Sequence, residues 1–302
     1  MVAEYKIRRA RVEDVPFICA AIISAEKGGT EKLSFSTLFD LSEDKVIQLL
    51  EKILLQQTKG SEFSIDNILV ATYLEQPVAS VTGWIELLKS DQSSSILKSN
   101  LISFNFPVEA IRSVSGKMHL LKNFIIDREK HVLQIEHVYV DPKHRGRCIA
   151  TDLINQHIKD SISIFPKLEK VHLQVYENNI GAINSYNRQN FVIVKEVIER
   201  NIEILDYLPH NIKFLLEKKI SKMDNNDIWK KLKVCLTSVL KHSDFQFSKD
   251  LVTTDIEGWT SLSHMIIVRE IEIAFGVSFE LEEYNKIKTI GSLTDLILTK
   301  IT

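Results

Sequence analysis

Cysteine is scarce in this chain of 302 residues, which has three, Cys19, Cys148 and Cys235, placed far apart. So small and odd a number excludes a disulfide framework and a cysteine zinc site, and it is typical of proteins in a reducing compartment. The nine histidines are scattered without the spacing of metal ligands, so we predict no bound metal. These absences point to the cytoplasm.

The chain also lacks long apolar runs and an excess of either charge. No run approaches the ~20 apolar residues that a membrane-spanning helix needs. The first 15 residues carry charges where a signal peptide needs an apolar centre. The net charge is −2, which argues against a general nucleic-acid or membrane-surface binder. We therefore expect a soluble cytoplasmic protein with neither kind of partner.

The length predicts two domains, because one domain usually takes ~100–200 residues. A short polar stretch at 221–227 marks a change in composition. We predict a first domain at 1–220, a linker at 221–226 and a second domain at 227–302.

The most informative stretch runs from Ile135 to His157. β-Branched residues predict a strand that ends at Asp141-Pro142, and apolar spacing predicts a helix from Ile149. Between them lies a basic turn, 143–147, that includes Gly146. The first N–H groups of a helix have no partner within it and attract anions, so such a turn suits the diphosphate of a nucleotide-type cofactor. The alternative is a solvated basic loop.

Two motifs resemble those of the GNAT superfamily of N-acyltransferases. Residues 145–150 fit the acyl-CoA loop pattern Arg/Gln-x-x-Gly-x-Gly/Ala, with Cys148 in place of the first glycine. Further along, Asn179, Ala182, Tyr186 and Phe191 fit the pattern Asn-x-x-Ala-x-x-x-Tyr-x-x-x-Gly-Phe, with Asn190 in place of its glycine. The resemblance covers about 1–220 and is strongest at 135–191. It implies an α/β (α+β) GNAT fold with a mixed, mostly antiparallel central sheet.

The resemblance implies that Glu136, on the signature strand, is the general base that takes the proton of the acceptor amine. A carboxylate in an apolar strand is costly unless it is paired or functional, so Glu136 could equally pair with an arginine or face solvent. We expect His137 on the opposite face of the strand, as a second candidate base. Tyr186 matches the tyrosine that protonates the departing sulfur; the alternative is a tyrosine packed on the sheet.

The resemblance also implies a coenzyme A site, in which backbone N–H groups near Tyr139 and Val140 hold the thioester and the pantetheine arm. Because Cys148 replaces a glycine, the cofactor could bind more weakly or the acyl donor could differ. The implied cofactor-binding residues are Val138, Tyr139, Val140, Arg145, Gly146, Arg147, Cys148, Ile149, Ala150 and Asn179.

The acceptor side of the first domain gives less information. A helix is predicted at 42–57 with Ser42 as N-cap, and two antiparallel strands at 67–74 and 77–87. Trp84 could line the acceptor cleft or belong to the core. The segment 89–130 is longer than the usual link, and we interpret it as an insertion that shapes the acceptor site or forms an oligomer contact.

The second domain resembles an acyl carrier protein, a small four-helix fold. The telling residues are Ser261-Leu262, which match the Ser-Leu that carries 4′-phosphopantetheine, and the downstream stretch from Ala274 to Leu293. Thr260 replaces the family's aspartate. Ser261 could alternatively be a helix N-cap.

Three hypotheses follow. The first is an acyltransferase that moves an acyl group between a thioester, acyl-CoA or carrier-bound, and a small-molecule amine. The second is a loading module that transfers acyl from CoA to the pantetheine on Ser261, with a phosphopantetheinyl transferase and polyketide or peptide assembly-line enzymes as partners. The third is a docking protein with degenerate sites.

Overall fold

The computed structural model describes residues 5–220, 225–241, 247–275, 277–284 and 286–301. The chain divides into two compact units, Met1–Ile220 and Ser221–Thr302. Most of the predicted linker lies outside the described residues. In the described part, no helix is both long enough and apolar enough to cross a membrane.

A seven-stranded sheet forms the centre of the first unit, in the order β1-β2-β3-β4-β5-β7-β6. Only β4 and β5 run parallel, and the other neighbouring pairs are antiparallel. The prediction of a mixed, mostly antiparallel sheet is therefore confirmed. The strands are β1 (Lys6–Arg9), β2 (Ile68–Tyr73), β3 (Gln76–Ile85), β4 (Leu133–Val140), β5 (Lys170–Tyr176), β6 (Val192–Ile198) and β7 (Ile212–Lys219).

Seven α-helices accompany the sheet in the described part of this unit. They are α1 (Val15–Glu26), α2 (Ser34–Phe39), α3 (Glu43–Leu55), α4 (Ser94–Asn105), α5 (Val108–Leu121), α6 (Ile149–Ile164) and α7 (Ile180–Asn187). As predicted, Ser42 caps α3, because its side chain accepts a hydrogen bond from the Lys45 N–H. The helix α4, capped by Ser93, was not predicted; it lies in the segment 89–130 that was interpreted as an insertion.

The sheet separates two apolar cores. Period-two alternation along β2 sends Ile68 and Val70 to one side and Leu69 and Ala71 to the other. The first core packs α1 to α5 on the sheet, and the second core packs α6 and α7 on its opposite face.

The second unit is helical. Its helices are α8 (Asn225–Leu240), α9 (Ser261–Phe275), α10 (Leu281–Tyr284) and α11 (Ile290–Ile301). A short 3-10 turn at Thr253–Asp255 and a single bridge between Val252 and Thr289 join the connecting segments. It has a core of its own, in which Leu232, Leu236, Ile267, Ile271 and Ile297 are fully buried.

Candidate active site

The sheet opens between β4 and β5. These strands pair only at Leu133 to Ile135, whereas β3 follows β4 as far as Val140. From Glu136 onward, the edge of β4 that faces β5 therefore has no strand partner in the described structure. Its backbone donors and acceptors, around Tyr139, are left for another partner.

A bulge in β4 determines where its polar side chains point. Ser80 pairs with Tyr139, but Thr82 pairs with Glu136, so two residues of β4 lie opposite Val81. His137 takes a left-handed backbone at φ 49°. The bulge breaks the alternation, and side-chain atoms of Glu136, His137 and Glu62 lie within 4.8 Å of one another. The expectation that Glu136 and His137 lie on opposite faces was wrong.

Glu136 is paired with an arginine. Arg128 donates to Glu136 Oε1 from Nη2 at 2.5 Å and from Nε at 3.1 Å. The same guanidinium donates to Glu62 Oε2 at 2.7 Å and to the Ser94 hydroxyl at 3.0 Å. Burial lowers the pKa of Arg128, but Glu136 and Glu62 outweigh that effect and hold the pKa above its ordinary value.

Glu62, the centre of this network, is fully buried and accepts a second charged hydrogen bond, from Lys98 Nζ at 2.6 Å. Burial raises the pKa of Glu62, but Lys98 and Arg128 together lower it by more, so that the pKa is about 2. The distances among Glu62, Glu136 and His137 would suit a metal ion, yet Lys98 and Arg128 already bind the carboxylates. The arrangement is therefore a set of ion pairs.

A second pair joins the network from α1. His137 Nε2 lies 3.4 Å from Glu26 Oε1, and the imidazole stacks on Phe63 with 5.9 Å between ring centres. Burial lowers the pKa of His137, but the contact with Glu26 and the other carboxylates raises it overall. His137 is thus held toward its protonated form, which makes it a poor base.

Tyr186 lies in α7 within the second core and makes an edge-to-face contact with Phe191 at 6.1 Å. Burial raises the pKa of its hydroxyl, which therefore remains a proton donor at neutral pH. No contact joins it to the Glu136 network in the described residues. Asn190, expected in place of a glycine, has a left-handed backbone at φ 65° and allows the turn after α7.

The basic turn leads into the N-terminus of α6. Gly146 and Cys148 both have left-handed backbones, at φ 76° and 59°. Both arginine side chains contact the protein: Arg145 Nε donates to the Val140 carbonyl at 3.1 Å, and Arg147 to the Tyr5 hydroxyl at 2.9 Å. The anion-binding capacity of this turn therefore depends largely on the free N–H groups at the start of α6.

Two other predicted residues take part in local structure. Asn179 caps α7, because its side-chain oxygen accepts from the Ala182 N–H at 3.3 Å. Trp84 is buried; its indole N–H donates to Glu86 at 2.9 Å, and the Arg128 guanidinium lies 5.0 Å from its ring centre. Trp84 therefore packs behind the arginine that holds Glu136.

Ser261 is the first residue of α9 in the second unit, and it is exposed. The helix is capped by its neighbours: the Thr260 hydroxyl accepts from the Ser263 N–H at 3.2 Å, and the Ser263 hydroxyl accepts from the Thr260 N–H at 2.6 Å. The alternative that Ser261 is itself the cap is thus wrong, and its hydroxyl is left for other chemistry.

Sequence reasoning missed the residues that surround Glu136. Lys98 and Arg128 lie in the segment interpreted as an insertion, and Glu26 and Glu62 lie outside both motifs. The sequence offered no periodic or motif signal for them; only the fold brings them together.

The sequence profile of the acetyltransferase (GNAT) family matches residues 110–191. This match includes β4, the basic turn, α6 and α7. Residues 110–191 therefore resemble a GNAT acetyltransferase domain. This assignment supports N-acyltransferase activity, and enzymes of the GNAT family use acyl-CoA as the donor.

A solved acetyltransferase structure agrees with this fold. An N-acetyltransferase from Staphylococcus aureus Mu50 is 17% identical over 70% of this chain and all of its own, with a TM-score of 0.52. Two others have lower TM-scores. A ribosomal-protein-alanine N-acetyltransferase from Brucella melitensis scores 0.40, at 15% identity over 71% of this chain and 99% of its own. The NatC complex bound to Gag peptide and CoA scores 0.41, at 13% identity over 72% and 99%. No curated protein matches the sequence.

Proposed function

We propose that the GNAT domain transfers an acyl group from acyl-CoA to the amine of a small molecule, at the opening between β4 and β5. The observation that supports this most is the continuity of the site: unpaired backbone of β4 leads directly into the turn and the N-terminus of α6. An acyl-CoA molecule whose thioester lay along β4 would place its diphosphate at the free N–H groups of α6.

In this proposal Glu136 is the general base. Arg128 binds Oε1, and within the described residues Oε2 makes no hydrogen bond, so it can accept a proton from the acceptor amine directly or through water. The alternative role, a purely structural ion pair, has the same geometry and is distinguished only by kinetics.

Tyr186 is the proposed general acid, which gives its proton to the departing sulfur. Burial keeps the phenol protonated, as this role requires. Val138 to Val140 offer backbone groups to the pantetheine arm, and residues 145–150 offer N–H groups to the diphosphate. Asn179 would add a hydrogen bond through its amide, whose oxygen also caps α7.

The test measures CoA release from acetyl-CoA across a panel of amines. We expect Glu136→Gln to lower kcat about 10²–10⁴-fold, as loss of a general base does, with the KM for acetyl-CoA little changed. A matched control is Glu129→Gln, which removes an exposed carboxylate paired with Lys170 at 3.1 Å. An unchanged kcat in the Glu136 variant would refute the base assignment.

For the second unit we propose an acyl carrier that bears 4′-phosphopantetheine on Ser261. Support comes from the exposed Ser261 hydroxyl at the start of α9. This hydroxyl is not needed as a cap, because Thr260 and Ser263 cap the helix. Such a carrier would either deliver acyl groups to the GNAT domain or be loaded by it for an assembly line. If neither unit is active, the chain is a docking protein.

Intact mass after incubation with CoA and a broad phosphopantetheinyl transferase tests the carrier. A gain of one phosphopantetheine that is absent in Ser261→Ala is expected, and Ser263→Ala is the control for the neighbouring serine. Adding acetyl-CoA then shows whether the GNAT domain loads the thiol. No gain in mass would refute the carrier and loading proposals together.

A further inference from the structure

Lys213 lies at the start of β7, across from Tyr176 of β5 and Val197 of β6. Its amine is 5.0 Å from the centre of the Phe124 ring, which stacks on Tyr176. Phe124 and Tyr176 belong to the side of the sheet on which the Glu136 network lies. The described structure shows no hydrogen bond or ion pair for this amine.

The charges around the β4–β5 opening leave Lys213 as a surplus cation. Each of the three carboxylates already has a cationic partner. The pairs are Glu26–His137 at 3.4 Å, Glu62–Lys98 at 2.6 Å and Glu136–Arg128 at 2.5 Å. When His137 is protonated, four cations therefore face three anions.

The environment of Lys213 agrees with this count. Burial lowers the pKa of its amine to about 8, against the pull of Glu136 and Glu26, and Lys98 and Arg128 lower the pKa further. At pH 7 the amine is mostly charged and partly desolvated. A desolvated charge without a counter-ion is unfavourable, and a bound anion would stabilise it.

We propose that the acceptor amine carries an anionic group, a carboxylate in the first instance, that pairs with Lys213. The inference rests on the proposed function, since it places the reacting amine at Glu136. Strand β5 separates Glu136 on β4 from Lys213 on β7. Because neighbouring strands lie ~4.8 Å apart, the backbones of Glu136 and Lys213 are roughly 10 Å apart or more across the opening. In this proposal a small amino acid would bridge the two side chains, with its amine at Glu136 and its carboxylate at Lys213.

The test compares each member of an amino-acid panel with its own carboxamide, in the wild-type protein and in Lys213→Met. We expect Lys213→Met to lower kcat/KM for the carboxylates about tenfold or more and to leave the amides nearly unchanged, as loss of a charged hydrogen bond does. For each compound, kcat/KM of the variant is divided by that of the wild-type protein, so the different reactivity of the amine in the acid and in its carboxamide cancels. Lys213→Arg, which keeps the charge, should restore part of the preference for carboxylates.

The outcomes separate this inference from the function on which it rests. Equal effects of Lys213→Met on acids and amides would overturn the anionic acceptor. Unchanged turnover of both in Glu136→Gln would instead overturn the base assignment. If the wild-type protein acetylates other amines but neither member of any pair, the anionic acceptor is overturned alone; if it acetylates no amine at all, the proposed function is overturned with it.

Discussion

Replacing Arg128 with methionine removes the cation that joins two carboxylates. Its side chain is 11% exposed, that of Glu136 is 17% exposed, and that of Glu62 is fully buried. Methionine keeps most of the apolar volume against Trp84. The variant therefore tests the ion pairs with little change in packing.

The expected loss of stability follows from the carboxylates that remain after Arg128 is replaced. Removing one partner of a buried ion pair costs ~3–5 kcal/mol, because the other charge is left uncompensated. Glu62 keeps Lys98, and Glu136 is partly exposed, so we expect the lower end, ~3 kcal/mol. For a unit of this size, that lowers Tm by roughly 6–12 °C.

Thermal and urea unfolding of the first unit, followed in the full chain, measure this loss. Lys170→Met is the control, because Lys170 is partly exposed and its contacts with Glu129 at 3.1 Å and Glu217 at 3.7 Å are expected to contribute ~0–1 kcal/mol each. Adding Glu136→Gln to the Arg128 variant should restore part of the stability, since Glu136 is the carboxylate that loses its cation. A loss below ~1 kcal/mol, or a double variant less stable than Arg128→Met, would refute the reasoning.

Three further predictions concern single groups. Cys148→Gly should raise the free energy of unfolding by ~0.5–1 kcal/mol, because glycine accepts the left-handed backbone that costs cysteine ~1–2 kcal/mol. It should also lower the KM for acetyl-CoA, and an unchanged KM would show that the Cys148 Cβ does not crowd the cofactor. Burial lowers the pKa of His157 from 6.5 to about 4. The neutral imidazole therefore contributes fully to the free energy of unfolding above pH 6.5, and this free energy should fall by ~3 kcal/mol as the pH drops to 4. In His157→Gln, titrated in parallel, this loss should be absent. Tyr186→Phe should lower kcat with little change in Tm, whereas a purely structural tyrosine would leave kcat intact.

The sequence predicted the elements whose signal is local. Alternation and apolar spacing located β4 and α6, residue type identified the Ser42 cap, and the first motif located the basic turn before α6. The bulge at His137 was not predictable, because a single left-handed residue inside a strand leaves no periodic signal. The partners of Glu136 could not be predicted either: Glu62 and Arg128 are 66 residues apart in the sequence, and only the tertiary fold brings them together.

The position of the ion pairs bears on whether they serve stability or function. Although Arg8–Asp14 is comparably buried elsewhere, three buried pairs of the first unit, Glu62–Lys98, Glu62–Arg128 and Glu136–Arg128, gather at the opening between β4 and β5. Apolar side chains would stabilise that place as well or better, so stability alone does not explain the charges.

Replacing Glu62 and Lys98 together by leucine decides between the two roles. Both charges of one pair are lost, and Arg128 keeps Glu136, so we expect a free energy of unfolding equal to or above that of the wild-type protein. We also expect a lower kcat, because Arg128 then loses one of its two carboxylate partners and orients Glu136 less firmly. Unchanged kcat with unchanged stability would show that this pair serves neither role, and lower stability with unchanged kcat would assign the network to the fold alone.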